Sequence, residues 1–100
     1  MRLMLLFNMI KSWKHKGLKH FYETGSTSGI QPNHQKRLKI ILQRLNGAIR
    51  AGDMNTPGMK FHHLTGAYKG FYSVTVNKNW RIIYAFEGRD AILVDYLDYH

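Results

Sequence analysis

Apolar and polar residues change their rhythm once along this chain, near Lys60. Before that point the spacing is helical. Leu18, Phe21 and Tyr22 recur at i, i+3 and i+4, which predicts a helix over 14–22. Pro32 and Asn33 open a longer helix, since proline suits a first helical turn. Its apolar stripe is Leu38, Ile41, Leu42, Leu45 and Ile49. Its other face carries Lys36, Arg37, Lys39 and Arg44, and such basic faces are usually solvated. A short strand is expected over 10–13. Loops are expected over 25–29 and 52–58, with Pro57-Gly58 as a turn.

After Lys60 the period becomes two. Tyr72, Val74 and Val76 alternate with Phe71, Ser73 and Thr75. Asn77-Lys78-Asn79 is a tight connection. Trp80, Ile82, Tyr84 and Phe86 then share one face, with Arg81, Ile83 and Ala85 on the other. Glu87-Gly88-Arg89-Asp90 turns the chain into a last strand over 91–98. The pattern predicts an α+β domain: two N-terminal helices packed on a small, mainly antiparallel β-sheet, its strands a three-strand meander covered on one side.

Length and charge narrow the picture. One hundred residues make one domain. Residues 1–8, Met1-Arg2-Leu3-Met4-Leu5-Leu6-Phe7-Asn8, read as an extension before a domain over 9–100. The apolar run is too short for a membrane span, and no small-residue cleavage site follows it. Lys and Arg number 15 against 6 Asp and Glu, a formal charge of +9. The excess is uneven: residues 1–86 carry 14 basic and 2 acidic side chains, whereas 87–100 carry Arg89 against Glu87, Asp90, Asp95 and Asp98. A basic body implies an anionic partner, most often nucleic acid. The absence of cysteine excludes disulfides, thiolate zinc sites and cysteine nucleophiles, and fits the cytoplasm. No His-x₃-His or carboxylate pattern joins His15, His20, His34, His62, His63 and His100, so neither a metal nor a cofactor is expected.

The candidate chemistry lies near the end of the chain. Arg81 stands on a strand that is apolar on both faces, where an unpaired guanidinium is costly. Either it pairs with Asp95 or Asp98 on the neighbouring strand, or it grips a phosphate. His62 lies at or near the first strand with Lys60 and Lys69 close by, and His63 should point the opposite way. Asp98, Tyr99 and His100 close the sequence. Together these residues fit attack by an RNA 2′-hydroxyl on its own 3′-phosphate. Imidazoles exchange protons near neutral pH, which suits His62 and His100 as base and acid. Asp98 can orient an imidazole or act as a base. Arg81, with Lys60 or Lys69, can take the phosphate charge. Tyr99, with Trp80 or Tyr72 where exposed, can stack on an unpaired base.

These residues also carry a family resemblance. Met9-Ile10-Lys11-Ser12-Trp13-Lys14-His15-Lys16-Gly17-Leu18, Lys60-Phe61-His62-His63-Leu64-Thr65-Gly66, Gly70-Phe71-Tyr72-Ser73-Val74-Thr75-Val76, Asn79-Trp80-Arg81-Ile82 and Asp98-Tyr99-His100 occur in this order. The sequence so resembles a HigB-type toxin of the RelE/ParE superfamily of toxin–antitoxin modules. The resemblance implies a RelE-like fold and a ribosome-dependent endoribonuclease that cuts mRNA in the decoding site. It implies active-site roles for His62, Asp98, Tyr99 and His100, with Arg81 on the phosphate. It also implies a separate HigA-like helix-turn-helix antitoxin that neutralises the toxin and meets operator DNA. Two positions depart from relatives: His63 replaces a frequent Pro, and Thr65 a frequent Lys, whose charge Lys60 or Lys69 must supply. ParE-like relatives share the fold but poison DNA gyrase, and retention of His62, Asp98 and His100 argues against that reading. A binding module without catalysis is the third class.

Overall fold

The structure is a computed structural model that describes residues 9–99. The 1–8 extension and His100 lie outside the described residues.

Helix α1 spans Lys16–Thr24, two residues later than the periodicity suggests. The shift has a local cause: His15 is extended and its Nδ1 accepts the Leu18 N–H at 2.9 Å, so the imidazole caps the helix. Gly25, left-handed at φ 83°, ends it and donates to the Phe21 carbonyl. A 3₁₀ turn at Pro32–His34 leads into helix α2, Gln35–Gly47. Leu38, Ile41, Leu42 and Leu45 are fully buried along its stripe. At about 1.5–3 kcal/mol for each such side chain, this stripe is a major part of the core. Ile49 does not join it. The helix stops at Gly47, Ala48 turns extended, and Ile49 is 39 % exposed.

Two members of the basic face of α2 are anchored. Arg37 donates to the Thr75 carbonyl at 2.9 Å and the Gly58 carbonyl at 2.7 Å. Arg44 donates to Thr56 Oγ1 at 3.1 Å. The loop after the helix contains a 3₁₀ turn at Ala51–Met54, whose Ala51 carbonyl accepts the buried Tyr84 hydroxyl.

The sheet has four strands rather than three. Strand β1 is the pair His62–His63, β2 is Tyr72–Asn77, β3 is Trp80–Glu87 and β4 is Asp90–Asp98, in that order and all antiparallel. The expected strand at 10–13 is reduced to two parallel bridges, Ile10 to Ala91 and Trp13 to Val94, flanking β4. Asn46 Oδ1 accepts the Ile10 N–H, and Lys11 pairs with Asp90 at 3.6 Å, which hold this segment in place. A register shift between Ile83 and Ala85 leaves Leu93 at φ 54° as the extra residue of a bulge. Gly17 and Gly29 touch backbone to backbone: a Cβ at Gly17 would stand 2.5 Å from the Gly29 oxygen, so the 25–30 loop is locked onto the first turn of α1.

Both helices contribute to one core with Tyr72, Val74, Val76, Ile82, Tyr84, Val94 and Tyr96 from one sheet face. Within it His34 is 4 % exposed, and its Nδ1 lies 2.7 Å from the Tyr96 hydroxyl, which also accepts the Gln31 N–H. Burial lowers the His34 pKa from the ordinary imidazole value. The unfolded chain therefore binds the proton more readily, and folding stability is lost as pH falls below the ordinary histidine range. The thermal midpoint should drop between pH 7 and pH 5 in the native chain, and the slope should flatten in His34→Gln. Calorimetry at several pH values on both proteins checks this.

Candidate functional site

The other sheet face is not bare. Ser73 and Ile83 on it are fully buried, although they stand apart from the helical core. Register fixes its membership. His62 pairs with Ser73, Ser73 with Ile83, Thr75 with Arg81, Arg81 with Leu97, and Ile83 with Asp95. Paired residues share a face, so His62, Ser73, Thr75, Arg81, Ile83, Asp95 and Leu97 are one surface. The β1–β2 loop closes through the Leu64 N–H to the Phe71 carbonyl, and brings Tyr68 against Tyr99 at 5.8 Å and Phe71 at 5.9 Å.

Arg81 is half-buried on this face. Its Nη1 donates to Ser73 Oγ at 3.3 Å, while Nε is buried with no hydrogen-bond partner among the described residues. Among the described residues the ion pairs are Lys11–Asp90 and Arg50–Asp53, so Arg81 pairs with neither Asp95 nor Asp98. Asp95 instead accepts the Tyr96 N–H. A guanidinium fixed at one end and still partly exposed suits an anion arriving from outside.

His62 is exposed on the edge strand. Its Nδ1 lies 2.9 Å from the Lys60 carbonyl, which can only accept, so Nδ1 carries the proton and Nε2 presents the basic lone pair. Lys60 sits at φ 49°, and this left-handed step brings its carbonyl back under the ring. Neighbouring His63 turns the other way, as alternation requires, and packs against Phe61 at 5.4 Å and Tyr72 at 4.9 Å. Its ring stays exposed on the edge strand.

The C-terminal residues divide between the faces. Asp98 pairs with Trp80, the residue that shares its side with Ile82 and Tyr84. Strand alternation thus takes Asp98 to the helix-covered side at the end of the sheet, away from Arg81. Tyr99 donates its N–H to the Asn79 carbonyl at 2.8 Å and turns its ring to Tyr68. Asp98 and Tyr99 are therefore neighbours at one end of the sheet, one on each side of it. Lys60 and Lys69 are both exposed, Lys69 in the β1–β2 loop. Thr65 lies at the base of that loop, its carbonyl bonded by the Tyr68 N–H.

Two expected stacking residues are displaced from this role. Trp80 and Tyr72 pack on the core side, Trp80 against Tyr96 at 4.7 Å and Tyr72 against Phe61 at 5.8 Å. Tyr68 and Phe71 stand with Tyr99 in their place, and Lys14 completes the group from the segment beside β4. The alternation of Phe71 with the core residue Tyr72 was the available signal for one of them. Tyr68 lies in a turn, where spacing carries no facing information. Among the described residues no three His, Asp or Glu side chains gather as metal ligands, and no helix is long and apolar enough to cross a membrane.

Two helices thus cover one face of an antiparallel sheet whose opposite face is basic and aromatic. The fold overlays on that of the YoeB dimer from Staphylococcus aureus with a TM-score of 0.54, at 18 % identity, over 93 % of this chain and 94 % of that one. The family model described as "RelE-like toxin of type II toxin-antitoxin system HigB" matches residues 11–100, and the chain belongs to this HigB-like toxin family. Among similar proteins is the Endoribonuclease HigB of Proteus vulgaris, 44 % identical over 92 residues, which covers 92 % of this chain and all of that one. Toxin HigB-1 of Vibrio cholerae is 35 % identical over 95 residues, which covers 92 % of this chain and 98 % of that one.

Proposed function

We propose that this toxin is a ribosome-dependent endoribonuclease that cuts mRNA in the decoding site and so stops translation. The observation that carries the reading is Arg81: a half-buried guanidinium held on this face by Ser73, with its Nε unpartnered among the described residues, on the same face as His62. The name of the Proteus vulgaris relative supports the reaction class.

The reaction needs no metal. The 2′-oxygen attacks the adjacent phosphorus, its proton passing to a base. The bond from phosphorus to the 5′-oxygen breaks, and an acid protonates the leaving oxygen. His62 Nε2 is the base in this reading, oriented by the Lys60 carbonyl, and His100 is the acid. Arg81 stabilises the charge that builds on the phosphorane, helped by Lys60 or Lys69. Asp98, at the end of the last strand, orients the terminal imidazole, and Tyr99 stacks on a base. The basic body steers the toxin to ribosomal RNA. A HigA-like helix-turn-helix antitoxin neutralises the toxin in the cytoplasm and links it to operator DNA.

The test is direct. Purified toxin is incubated with mRNA, with and without programmed ribosomes, and the new 3′ ends are mapped. Cuts within the codon in the decoding site, seen only with ribosomes, are expected. Intact mRNA alongside arrested DNA synthesis in expressing cells would replace this reading with gyrase poisoning.

A further inference from the structure

The Arg81 face carries a second cation and three aromatic rings that the proton-transfer scheme leaves unused apart from Tyr99. Lys14 Nζ stands 6.0 Å from the centre of the Tyr68 ring and 5.9 Å from that of Phe71. Among the described residues it has no carboxylate partner. Tyr68 meets Phe71 and Tyr99 edge-on, at 82° in both cases. All three rings are half-buried, so each is fixed yet keeps surface in solvent. Asp95, a carboxylate on this face, is engaged by the Tyr96 N–H. The β1–β2 loop that presents Tyr68 is shaped by two left-handed glycines, Gly66 at φ 65° and Gly70 at φ 93°.

Resting on the nuclease reading above, we propose that Lys14, Tyr68 and Phe71 extend the site into a subsite for an unpaired nucleobase next to the cut, with Lys14 on the adjoining phosphate. One sheet face thus carries an ammonium against aromatic rings, together with a guanidinium. Single-stranded RNA offers phosphates and flat bases side by side. Aromatic stacking accepts any base, because each has a π-face, and flanking cations take the backbone charge. An acidic protein segment would engage the two cations but would leave the rings without a flat partner.

The experiment measures ribosome-programmed cleavage at steady state. Tyr68→Leu and Phe71→Leu should each raise KM about tenfold, with kcat within about twofold, since stacking binds substrate without entering the chemistry. Tyr68→Phe should recover most of that loss. Lys14→Ala should raise KM about threefold. Gln43→Ala, an exposed uncharged residue on the helical layer, should change nothing. An mRNA made abasic at the stacked nucleotide should raise KM for the unaltered chain, and Tyr68→Leu should add little to it. If Tyr68→Leu proves unstable in thermal melts, Phe71→Leu and the abasic template carry the test alone. A folded Tyr68→Leu or Phe71→Leu with unchanged KM overturns the subsite and leaves the nuclease standing. A KM loss in Tyr68→Leu that is equal on abasic and intact mRNA overturns base stacking in favour of a contact with ribosomal protein. An unaltered chain that cuts no mRNA on ribosomes overturns both.

Discussion

Arg81→Ala should lower the cleavage rate by about 10²–10³, the usual loss when one preorganised donor to a developing oxyanion is removed. The fold should survive, because the side chain contributes little to it. Its hydrogen bond to Ser73 is long at 3.3 Å, and its Nε is buried without a partner. The contrast is with Arg37, whose bonds to the Thr75 and Gly58 carbonyls tie α2 to the sheet. Arg37→Ala should lower the thermal midpoint instead. Arg81→Lys should recover little activity, since an ammonium lacks the planar fork. Single-turnover cleavage and thermal melts on the same preparations separate the two arginines. An Arg81→Ala protein that melts early, or that cuts at full rate, rejects the phosphate role.

His62→Ala should cost about 10²-fold or more in ribosome-dependent cleavage, the span of a lost general base. Removal of His100 should cost at least about tenfold, with little change in stability, since a terminal residue adds little to a core. His62 is exposed and held through its ring Nδ1, so its loss also leaves the core intact. The two changes combined should cost less than their product, because both groups act in one step. Full toxicity without His100 would reject His100 as the acid.

The sequence was most legible where one periodicity ran long enough to fix a face. The Leu38, Ile41, Leu42 and Leu45 stripe and the Trp80, Ile82 and Tyr84 alternation lie as read. Ile49 was misread because its spacing continues past the point where Asn46-Gly47 ends the helix. The start of α1 was misplaced because a histidine does the capping, a role more often given to Ser, Thr, Asp or Asn. Strand β1 has two residues, too few to show alternation. The site was legible in part for the same reason. Alternation alone places Trp80 with Ile82, on the side the helices cover, and so removes it from the stacking set. Nothing local reveals that Arg37 is anchored while Arg81 keeps an unmatched donor. That difference depends on which carbonyls fold beneath each guanidinium.

Strand β4 lies between β3 and the segment that bridges through Ile10 and Trp13. The earliest-made and latest-made parts of the described chain are thus neighbours. Their contacts span about eighty residues of sequence, a separation that slows folding because the intervening chain must be ordered before the pairing repays the entropy. On a translating ribosome the helices and the β2–β3 hairpin emerge first, while Asp95, Leu97, Asp98 and Tyr99 follow. The face that holds Arg81 therefore gains its last wall, and Tyr68 its partner Tyr99, only when synthesis of β4 is done. On the reading proposed above, a toxin built in this order completes its site only after its own ribosome has made the last strand.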